Sequence, residues 1–339
     1  MKFVGFGEIM VRFAPDGYMR FPQVDHFNLN YTGAEANMCV SLSYMGVDSE
    51  IVTRLPENDI ADCAMRRMAM YGVGTSHVAR GGERIGIYYL ERGASQRPSK
   101  VIYDRKYSAF AASKSEDYDW DEIFKDADWF HFTGITVPLG PELPEITRQA
   151  CVAAKRHGVK ISCDLNYRKN LWTPEEAQRI MRPLMQYVDV LIANEEDAEK
   201  VLGVKAPDTD VVTGKLSPEG YEQVARSLTE TYGFSAVGIT MRGSISASVN
   251  EWSGLLYTGG TCYRSPKYTI QLVDRVGGGD SFASGLIYGY LHGFDAQKTL
   301  NFAVAASCLK QSIEFDFNLS TVDEVLRLMS GDGSGRVQR

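Results

Sequence analysis

Seven consecutive residues, Asp274-Arg275-Val276-Gly277-Gly278-Gly279-Asp280, hold the densest chemistry in this sequence. Three glycines close on one carboxylate, and the apolar pattern of a helix begins at Ser281. Backbone without side chains can turn its N–H groups toward a bound anion. The first turn of the following helix adds amides that have no acceptor inside the helix, together with the positive end of its dipole. Asp280 then stands beside an anion pocket as a base. Phosphoryl transfer to a hydroxyl requires that pair: one group takes the proton, and the other holds the charge on the transferring phosphoryl. A glycine-rich turn with an Asp at a helix start can also be a simple cap, so the elements around it must decide.

Short apolar runs alternate with helical patterns along the chain. Strands are predicted at Lys2–Gly7, Glu50–Thr53, Trp129–Thr133, Lys160–Asp164, Val188–Ala193 and Ala236–Met241. Helices are predicted at Ala34–Met45, Asp59–Tyr71, Glu142–His157, Pro174–Gln186, Glu195–Leu202, Glu219–Tyr232, Ser281–His292 and Ala296–Ser312. This alternation predicts an α/β fold with a mostly parallel sheet covered on both faces, and ligands outside the carboxyl ends of its strands. Arg84–Tyr107 breaks the rhythm with two β-like runs, Ile85–Glu91 and Val101–Tyr107. In the second run Val101, Tyr103, Arg105 and Tyr107 alternate onto one face. The stretch is either a solvated hairpin with a charged edge or a lid that sets Tyr103 and Arg105 over a site. Residues 1–328 are read as one domain with lid insertions around 10–31 and 84–108, and 329–339 as a flexible tail.

The bulk properties narrow the class. At 339 residues, 44% hydrophobic and 23% charged, the chain can bury a large core. A net charge of −7 excludes the basic footprint of a nucleic-acid binder. The six cysteines form no C-x-x-C pair, which argues against a zinc site or a disulfide framework and for a reducing cytoplasm. No apolar run is long enough to cross a membrane. The five histidines lack metal-ligand spacing, and His131, in an apolar strand, reads as a core residue. The sequence lacks both the P-loop motif and the protein-kinase signatures, and Gly5-Phe6-Gly7 lacks the third glycine of a dinucleotide fingerprint.

These residues resemble the PfkB, or ribokinase-like, carbohydrate kinases. Their signature D-[TS]-x-G-A-G-D is similar to Asp274–Asp280, and their Gly-rich entry to the first helix to Thr32-Gly33-Ala34-Glu35-Ala36-Asn37. Their N-x-x-E element is similar to Asn194-Glu195-Glu196-Asp197, with Asp in the fourth place. Within the family the chain is most similar to the 2-keto-3-deoxygluconate kinases, through Gly33–Asn37, Tyr103-Asp104-Arg105, Asp164-Leu165-Asn166-Tyr167-Arg168 and Arg-Val-Gly-Gly-Gly-Asp. The resemblance runs from residue 1 to about residue 328.

What the resemblance implies is a ribokinase-like fold with a small β-sheet lid, and ATP-dependent phosphorylation of 2-dehydro-3-deoxy-D-gluconate at its terminal carbon with Mg²⁺. It implies Asp280 as the base and Gly277, Gly278 and Gly279 as the anion hole. Gly33, Ala34, Asn37, Tyr89, Tyr103, Arg105, Arg168 and Asp316 would hold the sugar. Asn166, Asn194, Thr240, Arg242, Gly243, Gly277, Gly279 and Asn301 would line the nucleotide site, Thr240–Gly243 as a phosphate loop after a strand. Asn194 and Asp197 would order waters on the metal. An acid sugar gives Arg105 and Arg168 physical sense, because a guanidinium fork matches a carboxylate in two places. A neutral-sugar kinase and a non-catalytic sugar sensor share the same motifs. Ile85, Ile87 and Val101 on the lid have little to cover them, which predicts a homo-oligomer formed lid to lid.

Overall fold

The computed structural model describes residues 1–205 and 218–333. Fourteen strands divide between two sheets. The large sheet is built on β1 (Lys2–Phe6), flanked by β4 (Asp48–Leu55) and β8 (Trp129–Thr133). It continues outward on one side to β5 (Val78–Arg80) and on the other through β9 (Lys160–Asp164), β10 (Val190–Ala193) and β11 (Ala236–Ser244). All these strands pair in parallel. An antiparallel end follows: β12 (Val249–Thr258) pairs with β11, and β13 (Thr261–Arg264) and β14 (Tyr268–Gln271) pair with β12.

Helices cover both faces. On one side lie α3 (Trp120–Ile123), α4 (Leu143–Arg156), α5 (Pro174–Met185) and α7 (Pro218–Tyr232). On the other lie α1 (Ala34–Tyr44), α2 (Asp59–Met70), α8 (Gly278–Leu291), α9 (Ala296–Lys310) and α10 (Val322–Met329). The short α6 (Glu195–Asp197) runs into a wider π-type turn over Ala198–Leu202. The two apolar cores sit one on each face of the sheet, which is why its central strands are buried throughout. His131 is such a core residue: it bonds Ser162 Oγ at 2.7 Å, and burial pushes its pKa down to about 3.

The second sheet is the lid. Its order is β3 (Asn28–Thr32), β2 (Met10–Ala14), β6 (Gly86–Glu91), β7 (Lys100–Asp104). The two sequence insertions thus join in one sheet, with β2 and β6 parallel and both outer pairs antiparallel. Register decides which side chains face inward. Met10, Arg12, Tyr88, Leu90, Val101 and Tyr103 share one face, and Met10, Tyr88 and Leu90 pack against Val276 of the glycine-rich loop. Phe13, Leu29, Tyr89 and Ile102 share the outer face.

Several expectations are corrected here. β7 ends at Asp104, so Arg105 follows the strand, and Tyr107 adopts φ 59° and is 84% exposed instead of continuing the alternation. Ile85 is buried in the core and Ile87 is partly covered, whereas Val101, on the inner face, is 42% exposed as expected. The exposed apolar side chains of the outer face are Leu29 and Ile102, with Phe27 beside them. Thr240, Arg242 and Gly243 do not form a loop: β11 runs on to Ser244 because β12 pairs with it over nine residues. The strands β12–β14 and helix α10 were not predicted. Of the expected tail, Met329 closes α10, and 334–339 lie outside the described residues.

Candidate active site

Two helix N-termini, those of α8 and α1, meet at Asp280. Asp280 lies in the first turn of α8, whose N-cap, Gly277, offers no side-chain cap. Gly277 has φ 81°, and a Cβ there would stand 2.0 Å from the Asp316 carbonyl oxygen, so the position admits only glycine. The amide of Ser281 bonds back to the Gly277 carbonyl at 2.9 Å. The preceding amides, on Gly279 and Asp280, have no acceptor within a helix that starts here. Around Gly279 a Cβ would meet nothing within 4 Å, so this loop opens onto free space. The result is a cluster of donors at a positive helix end.

The second helix N-terminus, that of α1, orients the base. Asn37 Nδ2 donates to Asp280 Oδ2 at 2.7 Å, while Asn37 Oδ1 accepts from Thr32 Oγ1 at 2.8 Å. Gly33, at the N-cap of α1, passes against the Glu8 carbonyl, where a Cβ would come within 2.0 Å. Ala34 begins the helix. Glu35 lies beneath, accepting from the Thr133 amide at 3.0 Å and Thr136 Oγ1 at 2.7 Å; burial raises its pKa.

Burial also pushes Asp280 up to about 7, with Glu35 and Asp316 acting in the same direction against the Asn37 hydrogen bond and Arg168. Asp164, at the end of β9, is raised by burial and by Asp197 and Asp280. Asp197 is raised to about 6, mainly by burial. Asp164 is thus linked electrostatically to both Asp197 and Asp280. Asp197 accepts from the Tyr167 amide at 2.9 Å, and Asn194 Oδ1 accepts from the Asp197 amide at 2.8 Å. Asn166 spans the connection at φ 38° with its amide on Asp164 Oδ1 at 3.2 Å. Arg168 donates to the Tyr167 carbonyl at 2.9 Å and makes no ion pair among the described residues, yet its charge is felt by Asp164, Asp197 and Asp280.

Mg²⁺ and a nucleotide fit these side chains. No group of three or more His, Cys, Asp or Glu among the described residues could hold a metal directly. A hard cation that keeps its waters and rests on phosphate oxygens matches a site with only Asn194, Asp197 and Asp164 nearby. On the far side of the glycines, Arg275 donates to Asn250 Oδ1 at 3.3 Å; burial and the like charge of Arg242 lower its pKa. Two guanidinium groups that feel each other's charge and have no carboxylate partner among the described residues suit a polyphosphate. Asn301 lies farther along α9, accepting from Gln297 at 2.9 Å, on the side of the helix that meets β13.

The lid brings a different set of residues than the sequence indicated. Tyr88, not Tyr89, is on the site face: its hydroxyl donates to Asp316 Oδ1 at 2.6 Å, and its ring lies 5.8 Å from that of Tyr103. Tyr89 stacks on Phe13 across the outer face. Asp316 is buried and engaged at both oxygens, by Tyr88 and by Arg12 at 2.7 Å. Arg12, fully buried on β2, also bonds Asp274 Oδ2 at 2.5 Å. Arg105 meets Glu8 Oε2 through Nε at 2.8 Å and through Nη2, so its fork is taken by Glu8 and Nη1 remains. Sequence reasoning missed Glu8, Arg12, Tyr88 and Arg275. The signal for the first two was present: charged residues beside or within short apolar runs at the N-terminus. Arg275 was visible as a large cation where the signature carries Thr or Ser.

Comparison with known proteins supplies the relatives. The sequence model of the family described as pfkB family carbohydrate kinase matches residues 2–312. A 2-dehydro-3-deoxygluconokinase of Thermotoga maritima has a crystal structure that is 53% identical in sequence and superposes with a TM-score of 0.95, covering 98% of each chain. A 2-dehydro-3-deoxygalactonokinase of Haloferax volcanii is 30% identical over 98% of each chain. A 2-dehydro-3-deoxygluconokinase of Thermoproteus tenax is 27% identical over 93% of this chain and 90% of its own.

Proposed function

The chain belongs to the pfkB family of carbohydrate kinases, and from that premise we propose that it phosphorylates 2-dehydro-3-deoxy-D-gluconate on its terminal hydroxyl with ATP. The observation that carries this reading is that Asp280 stands at an uncapped helix N-terminus and feels the charge of Arg168, an arginine without an ion-pair partner among the described residues. The Thermotoga maritima relative, 53% identical over nearly the whole length, points to the same substrate.

In this mechanism Asp280 takes the proton of the sugar hydroxyl as its oxygen bonds to the γ-phosphorus, and the bond from phosphorus to the ADP oxygen breaks. Asn37 holds the Asp280 carboxylate in line. Gly279 and Asp280 amides take the charge on the transferring phosphoryl. Arg275 and Arg242 hold the polyphosphate, and Asn194 and Asp197 hold waters of Mg²⁺. When bound there, Mg²⁺ would supply positive charge against the phosphates. The sugar lies between Gly33 and the inner face of the lid, against Tyr88 and Tyr103. Its carboxylate meets Arg168 and the free Nη1 of Arg105, whose orientation Glu8 fixes. Arg12, Asp274 and Asp316 fasten the lid strand to the glycine-rich loop.

The outer lid face, with Phe27, Leu29 and Ile102 exposed, supports a dimer that pairs lid to lid. Six unpaired cysteines and the absence, among the described residues, of a helix able to cross a membrane support a cytoplasmic location. The Haloferax volcanii relative supports a second reading, the C4-epimeric galactonate acid. Product analysis by mass spectrometry and ³¹P NMR after incubation with ATP, Mg²⁺ and either acid tests both. A 6-phosphate ester from the gluconate form is expected; an ester from the galactonate form alone selects the second reading, and none from either refutes both.

A further inference from the structure

Lys310, the last residue of α9, is completely buried, and among the described residues its ammonium meets no carboxylate in an ion pair. It donates instead to three main-chain carbonyls: Asp274 at 3.1 Å, Ile313 at 3.4 Å and Phe315 at 2.5 Å. An ammonium has three hydrogens, and all three are used. The three carbonyls come from two segments, which Arg12 also joins through its bonds to Asp274 and Asp316. One is the approach to the glycine triplet. The other is the turn 313–315, where Phe315 holds a left-handed φ of 63° that a bulky side chain adopts only when its surroundings impose it. The Lys310 stem passes directly under the anion hole, since a Cβ on Gly277 would stand 3.3 Å from its Cε. α9 is tied to the same loop twice more, by Ser307 Oγ on the Gly278 carbonyl at 2.6 Å and by the Val273 amide on the Gln311 carbonyl at 2.9 Å.

Carbonyl dipoles converging on one buried positive charge are the chemistry by which proteins replace the hydration shell of a monovalent cation. We propose that the Lys310 ammonium is a built-in monovalent cation that holds Asp274 and the 313–315 turn in the geometry the anion hole requires, so that the enzyme needs no soluble K⁺ or Na⁺. Lys310 is a positioning residue. It touches neither sugar nor nucleotide and acts through Asp274 on Gly277–Gly279. Without it three carbonyl oxygens face one another with no donor between them. Removing its side chain leaves a cage of the size and polarity that K⁺ or NH₄⁺ fills.

The inference rests on the kinase reading for its activity arm, while a second arm needs no turnover. Lys310→Ala and Lys310→Met are compared with the parent in tetramethylammonium, Na⁺, K⁺ and NH₄⁺ chlorides at equal ionic strength. The parent is expected to show the same kcat and the same melting temperature in all four salts. Lys310→Ala is expected to lose about tenfold or more in kcat in tetramethylammonium, with a smaller change in KM, and to regain most of it in K⁺ or NH₄⁺. Its melting temperature should rise in K⁺ where that of the parent does not. Lys310→Met, which keeps the stem in the cage, should be rescued less. A parent enzyme activated by K⁺ overturns the proposal, and so does an alanine variant that K⁺ neither reactivates nor stabilises. Cation-dependent melting of the alanine variant, with a parent that turns over no sugar, would fault the kinase reading and leave the cage intact.

Discussion

In the proposed mechanism Asp280 is a base that is neither permanently charged nor permanently protonated near neutral pH. Its burial, next to Glu35 and Asp316, moves it to about 7, and the Asn37 hydrogen bond keeps it from rising further. The sign for activity follows. The protonated form cannot accept the sugar proton, so kcat/KM rises with pH through about 7 and levels off above it, falling tenfold per pH unit well below. Asp280→Asn keeps the shape and removes the base. Steady-state kinetics should record a fall in kcat of about 10²–10⁴-fold, with nucleotide affinity nearly unchanged by equilibrium titration. Turnover of the Asn variant close to that of the parent, or a flat profile between pH 5 and 8, would assign the proton to another group.

At the scale of elements, the start of α8 separates three glycines by function. Gly277 is held in a left-handed conformation against the Asp316 carbonyl, so Gly277→Ala should lower stability by more than about 1 kcal/mol, read as a shift in a denaturant midpoint. At Gly278 a methyl would meet Gln311 at 3.4 Å, an ordinary contact, and Gly278→Ala should keep both stability and activity. Gly279 faces open space, so Gly279→Ala should fold as well as the parent yet lose activity by crowding the phosphoryl. Equal effects at the three positions would contradict the anion hole.

The same element shows what the sequence carried and what it could not. The glycine triplet, Asp280 and the strand–helix alternation were legible because local spacing alone generates them, while Asn37 came only from the family resemblance. Tyr88 and Tyr89 were not distinguishable, since either can face the site until the pairing of β2 with β6 sets the register, and that pairing spans more than seventy residues of sequence. Arg12 with Asp316, 304 residues apart, was beyond any local pattern. The extension of β11 through Arg242 and Gly243 depended on β12, whose own signal is weak because its middle carries Ser253 and Gly254. Arg105 was found for its charge, but its partner Glu8 lies on another segment, and so the fork was assigned to the ligand.

For the molecule as a whole, the lid is the part that a single chain leaves unfinished. Its inner face is fastened by the Arg12 ion pairs, buried at both ends, while its outer face keeps Phe27, Leu29 and Ile102 in water. A two-fold contact through that face would cover them and hold both lids over their sites. Light scattering at micromolar concentration should give a dimer mass, and Ile102→Lys should shift the mass toward monomer. A monomeric parent would mean that the face has another use.

The central claim is that this kinase acts on an acid sugar, and initial-rate ADP release measures it most directly. With saturating ATP and Mg²⁺, kcat/KM is compared for 2-dehydro-3-deoxygluconate, fructose and ribose, for the parent and for Arg168→Ala. The account predicts that the acid is preferred by about 10²-fold or more, since a neutral sugar offers no carboxylate to the Arg168 guanidinium. It also predicts that Arg168→Ala removes most of that preference while leaving the slow neutral-sugar rates near those of the parent. A parent that turns over fructose or ribose as well as the acid, or a variant that loses all three substrates equally, would contradict it.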